Sequence, residues 1–374
     1  MNHVSFRNLF DFQKKSKIKA GDGLPLNEGS YPFYTSSNIL KKSINEFLFD
    51  GNSLIFGTGG SASVHYCNAR FAVSTDCFVT RPKNNDEVFL KYIYYFLSGN
   101  IHILENGFKG AGLKHISKGY ISEIKIPLPP LDQQKKIAAI LDAADEYRQK
   151  TKALIDKYDQ LTQSLFLDMF GDPVTNPMGW DEEPLSNSID AIIDYRGKTP
   201  PKSTNGIPLL SSANVQSGMI DLSYKQFISA SNYAKWTVRG LTQPLDLLFT
   251  TEAPVCEVAL IPSDGRVYQI SRRVMALRFD KYKLNPVFGL NLMLQRNWVD
   301  RLKKLTRGST VPRLLKPDIL KQTIIRPSVN KQNQFAERIA QIEKQKQQAE
   351  ASLVKAEELF NSLLQRAFKG ELTN

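Results

Sequence analysis

The chain has few of the residues that build disulfide frameworks and metal sites. Its 374 residues include three cysteines and four histidines. Cys67, Cys77 and Cys256 are odd in number and form no Cys-x-x-Cys pair, so the sequence supports neither a disulfide framework nor a zinc ribbon. We expect all three to be buried small hydrophobic side chains. The histidines show no His-Glu-x-x-His or equivalent spacing, and no metal site is predicted.

Long apolar runs are also missing. No run approaches the roughly 20 apolar residues of a membrane span, and the N-terminal MNHVSFRNLFDFQKK lacks the apolar core of a secretory signal. These absences predict a cytoplasmic protein with no membrane-spanning segment. Hydrophobic residues nevertheless make up 41% of the chain, which is enough to fill the cores of two domains or more.

Positive charge is in excess. The chain carries 49 Lys and Arg against 37 Asp and Glu, a formal net charge of +12. Such an excess favours a polyanionic partner, either nucleic acid or an anionic membrane surface, and charge alone does not choose between them.

A proline joint occurs twice. The stretch IKIPLPPLDQQKKIAAILD (124–142) runs from strand-like residues through two prolines into a helix-like segment. Shifted by 198 positions, it lies over IIRPSVNKQNQFAERI (324–339) without a gap, and Gln134 meets Gln332. Self-similarity at so long a period indicates a duplicated domain and excludes a short-repeat solenoid.

A heptad pattern follows each joint. From Asp132 and from Asn330, no proline or glycine occurs for 38 residues, which allows two helices of about 57 Å each. Gly171 and Gly370 lie where the helices should end. One such stripe is typical of an ordinary amphipathic core helix, whereas two of equal length favour pairing with each other. The predicted seam includes Ile137, Leu141, Ile155, Leu165, Phe335, Ile339, Leu353 and Leu363.

The two predicted helices are neutral together. Residues 132–169 carry six basic and seven acidic side chains, and residues 330–367 carry six and five. The excess positive charge therefore lies in the other segments, which predicts a spacer role for the helices and a binding role for the globular parts. Arg148 and Lys346 interrupt the seam at matching positions, and either fix its register or face a docked acidic subunit.

The globular parts upstream of the joints are copies as well. The matches are YPFYTSSNI (31–39) with IPLLSSANV (207–215), SLIF (53–56) with DLLF (246–249), and AVST (72–75) with QISR (269–272). The offset in residue number between matched runs grows from 176 through 193 and 197 to 198. The second copy therefore has extra residues between its strand-like runs, where surface loops are expected. Each copy ends in a helix-compatible stretch, 88–99 or 287–298. We predict two small α+β domains that share a scaffold and differ in their loops.

No motif predicts chemistry in this chain. GTGGSAS (57–63) lacks the Gly-Lys-Ser/Thr ending of a phosphate loop and is interpreted as a tight turn. No nuclease carboxylate cluster and no convincing nucleophile occur, and no catalytic residue is predicted.

The sequence resembles the specificity subunit of type I restriction-modification enzymes over essentially its whole length. The likeness is carried by IPLPPLDQQKKIAAIL (126–141), LTQSLFLDMFGDP (161–173), SLLQRAFKGEL (362–372), and the SSN and SAN triplets ending at Asn38 and Asn214. The resemblance implies a non-catalytic subunit of an adenine-N6 methyltransferase/endonuclease complex. Each globular part would be a target recognition domain reading half of a bipartite DNA site, and the helices would pair as an antiparallel coiled coil with pseudo-twofold symmetry.

The resemblance also implies partners and domain limits. Two methyltransferase subunits would dock on the helices and flip adenines, and restriction (motor-nuclease) subunits would join for cleavage. The implied partners include double-stranded DNA and no membrane. S-adenosylmethionine, Mg and ATP would belong to the partner subunits, with no cofactor in this chain. The implied domains are 1–128 (recognition), 129–171 (helix), 172–326 (recognition) and 327–374 (helix and tail). One departure is visible: nothing in the first domain corresponds to Trp180, so we expect its first strand to be incomplete or completed by the C-terminal tail.

Candidate DNA contacts are basic and small polar residues of the two globular parts. In the first they are Lys14, Lys15, Lys17, Lys19, Tyr34, Ser36, Asn38, Lys109 and Lys114. In the second they are Arg196, Lys198, Lys202, Ser211, Asn214, Arg272, Arg273, Arg307 and Arg313. Arg273 and Arg307 are singled out, since arginine can bind guanine through two hydrogen bonds. The alternative for any one lysine is a solvated surface charge, and for Asn38 and Asn214 a turn residue.

Two other functions compete with the DNA-reading scaffold. The first is a stand-alone restriction or methylation enzyme, and the second is a coiled-coil adaptor that binds acidic proteins. The target base sequence and the gap length depend on loop geometry, and the sequence does not predict them.

Overall fold

The computed structural model describes residues 2–195, 200–308 and 310–372. The chain divides into two compact units. Unit 1 contains residues 1–153 and 350–374, and unit 2 contains residues 154–349. Each unit therefore contains one globular head together with part of each long helix.

Two long helices follow the proline joints, as predicted. They span Leu131–Phe170 and Val329–Lys369, so each starts within one residue of the predicted start. Gly171 (φ 73°) and Gly370 (φ 83°) follow them in the left-handed conformation that ends helices and that glycine adopts without strain.

The head of unit 1 combines short strands with short helices. Its strands are His3–Ser5, Phe10–Phe12, Leu24–Pro25, Tyr31–Tyr34, Lys42–Ile44, Phe49–Asp50, Ser53–Gly57, Ser63–Cys67, Arg70–Val73, Cys77–Pro82 and Lys125–Pro127. Its helices are Phe6–Leu9, Leu90–Gly99, His102–Glu105 and Lys118–Glu123, with a 3-10 turn at Ala20–Asp22. A four-stranded antiparallel sheet, in the order 10–12, 77–82, 53–57 and 63–67, adjoins a five-stranded sheet.

The head of unit 2 repeats this plan. Its strands are Glu182–Pro184, Ile189–Asp194, Ile207–Leu210, Val215–Gln216, Met219–Ile220, Phe227–Ile228, Leu247–Thr250, Val258–Leu260, Gln269–Ile270, Val274–Phe279 and Thr323–Ile325. Its helices are Ala230–Trp236, Pro286–Met293, Arg296–Lys303 and Lys316–Leu320, with 3-10 turns at Leu185–Ser188 and Thr237–Arg239. The four-stranded sheet runs 189–194, 274–279, 247–250 and 258–260, which is the order of its counterpart in unit 1.

The strand registers confirm the predicted duplication. In the first head, Phe33 pairs with Ala72 in parallel, and in the second head Leu209 pairs with Gln269 in parallel. Leu209 follows Phe33 by 176 positions and Gln269 follows Ala72 by 197 positions, which are the shifts found for the matched sequence runs. The α+β class and the shared scaffold are therefore confirmed.

The first strand of the first head is complete, contrary to expectation. His3–Ser5 pairs along its whole length with Lys125–Pro127, as Glu182–Pro184 pairs with Thr323–Ile325 in the second head. The strand is intact although the first head has no counterpart to Trp180. In unit 2 the Trp180 indole donates to the Phe170 carbonyl oxygen at 2.9 Å.

Within unit 1, both long helices complete the core of the head. Ile137 and Leu141 from the first helix and Leu364 and Ala367 from the second belong to one buried cluster with the aromatic side chains of the head. Arg148 of the first helix lies over the ring of Phe360 of the second, 4.5 Å from its centroid.

Within unit 2, the two helix segments run in opposite directions. Phe166 and Phe170 contact Phe335, and the Lys346 Nζ lies 2.5 Å from the Asp159 carboxylate. Residue numbers along the first helix therefore decrease as those of their partners on the second helix increase. Lys346 is buried and links the helices, which supports the register-fixing interpretation. Of the predicted seam, Ile137, Leu141, Phe335 and Ile339 are buried, whereas four positions are only half-buried: Ile155, Leu165, Leu353 and Leu363.

A buried glutamine ties the first head to the first long helix. The Nε2 of Gln134 donates to the carbonyl oxygens of Pro129 at 2.8 Å and Glu87 at 2.9 Å. Its Oε1 accepts from the Phe89 N–H at 2.8 Å. One fully buried side chain thus joins the proline joint to the segment that starts the head's helix Leu90–Gly99.

The same arrangement occurs in the second head. The Nε2 of Gln332 donates to Pro327 at 2.8 Å and to Lys283 at 3.1 Å, and its Oε1 accepts from the Asn285 N–H at 2.8 Å. The two glutamines align in the duplicated sequence because each one holds its head to its long helix through equivalent hydrogen bonds.

The three cysteines are free and buried, as predicted. Burial raises the pKa of the Cys77 and Cys256 thiols to about 12, so both are protonated at neutral pH. Among the described residues, no helix combines the length and the apolar character needed to cross a bilayer.

Candidate nucleic-acid interface

Four segments of the first head that are distant in sequence meet at one end of its sheets. The Ser36 hydroxyl donates to the Asp76 carbonyl oxygen at 2.7 Å, and the Thr58 N–H donates to the same oxygen at 2.9 Å. The Gly59 N–H donates to the Ser36 Oγ at 3.2 Å. The Ile116 N–H donates to the Thr58 carbonyl oxygen at 3.1 Å, which brings in a fourth segment. We call residues 36–38, 58–62, 75–76 and 109–115 the first loop edge.

The glycine-rich stretch forms a tight turn within this edge, as predicted. It joins the paired strands Ser53–Gly57 and Ser63–Cys67. A Cβ at Gly59 would lie 3.1 Å from the His115 ring, and one at Gly57 would lie 3.0 Å from the Ser36 Cα. The small residues thus allow the neighbouring segments to close against the turn.

A short projecting loop, the first finger (residues 109–115), completes the edge. Lys109 and His115 exchange two backbone hydrogen bonds of 3.0 Å each, so the loop is closed at its base. The lysine-rich segment 13–19 is linked to this end as well, because the Thr75 N–H donates to the Ile18 carbonyl oxygen at 2.8 Å.

The second head builds an equivalent end. The Thr251 N–H donates to Arg273 at 3.0 Å, the Leu314 N–H donates to Thr251 at 2.8 Å, and the Ser212 hydroxyl donates to Ala253 at 3.4 Å. We call residues 212–214, 251–254, 272–273, 307–308 and 310–313 the second loop edge. Its finger is closed by two hydrogen bonds of 2.9 Å between Arg307 and Arg313.

Most of the predicted DNA contacts lie on the surface. The exposed ones are Lys14, Lys15, Lys17, Lys19, Asn38, Lys109, Lys114, Lys202, Arg272, Arg307 and Arg313. Ser36, Ser211 and Arg273 are half-buried, and Arg196 and Lys198 lie outside the described residues. The loop edges therefore bring together Ser36, Asn38, Lys109 and Lys114 in the first head, and Arg272, Arg273, Arg307 and Arg313 in the second.

Two candidates do not face solvent, and the prediction is corrected for them. Tyr34 is 8% exposed and packs its ring against His65 and Phe71. Burial raises the pKa of its hydroxyl well above the usual value. Asn214 is 2% exposed, and its amide donates to the carbonyl oxygens of Asp221 and Tyr224 at 2.8 Å each. Both side chains stabilise their heads, and for Asn214 the turn-residue alternative holds.

The two singled-out arginines are held by carboxylates. The Arg273 Nε lies 3.2 Å from the Glu252 carboxylate, and Arg307 lies 3.1 Å from that of Asp318. These ion pairs are half-exposed, so they orient the guanidinium groups without withdrawing them from solvent.

Sequence reasoning missed the supporting role of His65. Its Nε2 donates to the Ser37 carbonyl oxygen at 2.8 Å, which fixes the SSN triplet against the sheet. Burial lowers the pKa of His65, so the ring is neutral at pH 7. The available signal was its position in an alternating strand, SVHYC, where an inward histidine needs a partner.

The charge of the heads suits an anionic surface. Residues 2–128 contain 15 basic and 10 acidic side chains, and residues 172–326 contain 21 and 14. In the described part of the chain, no cluster of three or more His, Cys, Asp or Glu side chains could hold a metal ion.

A family profile described as "Type I restriction modification DNA specificity domain" matches residues 1–157. Two curated proteins are similar over most of the chain. The type I restriction enzyme EcoDI specificity subunit of Escherichia coli is 22% identical and covers 93% of this chain and 84% of its own length. The MjaVIII specificity subunit of Methanocaldococcus jannaschii is 23% identical, with coverage of 84% and 80%.

Solved structures agree on the fold. The S subunit of a type I restriction-modification system from M. genitalium superposes with a TM-score of 0.63 at 16% identity, covering 98% of this chain and 95% of that one. A chain from a structure on complex assembly and conformational transition of the type I system has a TM-score of 0.56 at 18% identity, with coverage of 99% and 98%.

Proposed function

From the family profile over residues 1–157 and the similarity to the two curated specificity subunits, we infer that this chain is a type I restriction-modification specificity subunit, and we propose that its two heads read the two halves of a bipartite DNA target. The first loop edge would contact one half-site and the second loop edge the other. Phosphate contacts would supply affinity, and contacts to base edges would supply specificity.

The observation that carries this proposal is that the two heads share a scaffold but differ in the side chains of their loop edges. Thr58 and Thr251 occupy the same place in the two heads and accept equivalent backbone hydrogen bonds. Around them, Gly59 and Asp76 of the first edge correspond to Glu252 and Arg273 of the second. Since base readout depends on the donors and acceptors that a loop presents, two such edges fit two different sequences.

The chemistry of modification and cleavage would come from partner subunits. We propose that two methyltransferase subunits dock on the long helices and use S-adenosylmethionine to methylate adenine N6. Restriction subunits with ATP and Mg would add cleavage to this cytoplasmic complex. The helices would set the distance between the half-sites, since a helix fixes about 1.5 Å per residue.

An exchange of heads tests the proposal. Residues 2–128 are replaced by the first head of another specificity subunit, with the Gln134 position and the long helix kept. Expressed with its methyltransferase subunits, the hybrid should methylate a site in which only one half has changed. Sequencing of methylated adenines in host DNA measures this directly.

The matched control exchanges residues 172–326 instead and should change only the other half. A change in both halves after either exchange would contradict modular reading. Methylation or cutting of DNA by the purified chain alone, given S-adenosylmethionine and Mg, would favour a stand-alone enzyme. An absence of salt-sensitive DNA binding by the assembled complex would favour the adaptor.

A further inference from the structure

The first finger is a preorganised loop. Besides the two hydrogen bonds between Lys109 and His115, its second residue, Gly110, has a φ of 144°, a conformation that other residues rarely adopt. A Cβ there would lie 2.6 Å from the Leu113 carbonyl oxygen. The backbone can therefore close over its tip only with glycine at this position.

The second finger shows the same constraint with a different sequence. Gly308 has a φ of 96°, and a Cβ there would lie 2.7 Å from the Val311 carbonyl oxygen. Between KGAGLKH (109–115) and RGSTVPR (307–313), only this glycine is identical. What both keep is a cationic residue at the start of the loop, Lys109 or Arg307, and an apolar residue near the tip.

The apolar tip is exposed in both fingers. Leu113 is 81% exposed and Val311 is 47% exposed. A single exposed apolar side chain is ordinary on a protein surface. Here, however, the exposure recurs at matching positions of two loops that are each closed at the base by two backbone hydrogen bonds and whose sequences have otherwise diverged. Rigid presentation of an apolar group beside cationic side chains fits a DNA groove, whose rim is anionic phosphate and whose floor includes the apolar methyl groups of thymine.

Building on the proposed function, we propose that the fingers enter a groove of the bound duplex. In the first finger, Lys109 and Lys114 lie beside phosphates, and Leu113 makes van der Waals contact with base pairs. Apolar side chains contact thymine methyl groups in the major groove and unstack base steps in the minor groove, so an aliphatic tip has a partner in either groove. Leu113 is then a specificity-determining residue that carries no charge.

The test separates apolar from ionic contributions. The complete complex with methyltransferase subunits is titrated with its mapped target duplex at several salt concentrations. Leu113→Ala should lower the affinity about tenfold without changing the slope of log affinity against log salt, because the lost contact releases no counterion. Lys114→Gln should lower both the affinity and, by about 1, the magnitude of the slope.

Two further variants serve as controls. Leu113→Met keeps an aliphatic tip and should retain the affinity. Leu26→Ala removes another exposed leucine of the same head, 43% exposed, and should have no effect. Unchanged affinity of Leu113→Ala, or a loss whose salt slope falls as it does for Lys114→Gln, would overturn the inference. Failure of the wild-type complex to prefer its mapped target would instead overturn the proposed function.

Discussion

The two heads are most alike where the long helices begin and differ most at their loop edges. Gln134 and Gln332 make the same three hydrogen bonds to equivalent backbone groups. At the other end of the sheets, Asp76 of one head corresponds to Arg273 of the other, a reversal of charge. The junction with the helix thus tolerates little variation, because buried polar groups must be satisfied, whereas solvent-exposed loops are free to change.

The largest expected effect comes from breaking the shared junction. Gln134→Ala leaves the Phe89 N–H and the carbonyl oxygens of Glu87 and Pro129 without this partner, and the bond to Pro129 is fully buried. Because an unsatisfied buried group costs about 1 to 3 kcal/mol, we expect a loss of about 3 kcal/mol in the free energy of unfolding. Urea unfolding followed by circular dichroism measures it.

The comparison is sharpened by the matched variant Gln332→Ala, which should destabilise the second head by a similar amount. Gln149→Ala removes an exposed glutamine from the same helix and should change stability by less than about 0.5 kcal/mol. A large loss for Gln134 with none for Gln332 would show that the two junctions are not equivalent.

Sequence periodicity predicted the scaffold well because its constraints are local or repeated. Helix limits follow from prolines, glycines and heptad spacing, and the duplicated runs predicted that the two heads share a scaffold, although they did not predict which strands pair. The role of Gln134 was signalled by its match with Gln332, although its partners come from residues 87–89, about 45 positions away, which a single sequence does not reveal.

The loop edges were predicted only as a set of residues. The segments of the first loop edge meet through hydrogen bonds between residues as far apart as Thr58 and Ile116, and one of the bonds uses the Ser36 side chain. No local pattern encodes such a meeting. Tyr34 and Asn214 were misjudged for a related reason. Side-chain direction at the end of a strand depends on register, so a polar residue can point into the head to satisfy buried carbonyl groups.

A smaller effect on stability is expected at an arginine that both heads contain but that binds a different side chain in each head. In the second head, Arg278 binds both carboxylate oxygens of Asp246 at 2.9 Å, and Asp246 is 2% exposed. In the first head, the corresponding Arg81 lies 3.4 Å from the Ser53 hydroxyl. The charge-assisted pair should contribute more than the neutral contact.

Asp246→Asn should therefore cost about 2 kcal/mol, and Ser53→Ala about 1 kcal/mol or less. Hydrogen exchange resolved by head, together with urea unfolding, measures both. Glu146→Gln disrupts an exposed pair with Lys150 and should cost less than about 0.5 kcal/mol. Equal costs in the two heads would mean that the carboxylate adds nothing to the second scaffold.

The smallest expected effect concerns the residue that follows each long helix. Asp172 follows Gly171, and its carboxylate accepts from the N–H groups of Val174 at 2.8 Å and Thr175 at 3.0 Å. Partial burial acts to raise its pKa, but these bonds and one from Asn297 outweigh burial, and the pKa is lowered. The corresponding residue after Gly370 is the exposed Glu371.

Asp172→Asn should cost about 1 kcal/mol at pH 7. A carboxyl group with a lowered folded-state pKa stabilises the protein above its unfolded pKa of about 3.9, and this contribution is lost as the pH falls through the folded value. The difference between variant and wild type in urea unfolding should therefore shrink from pH 7 to pH 3, whereas Glu371→Gln should change stability by less than about 0.5 kcal/mol at either pH. A difference that stays constant over this range would show that the hydrogen bonds do not depend on the charge, and that the two helix ends differ in geometry alone.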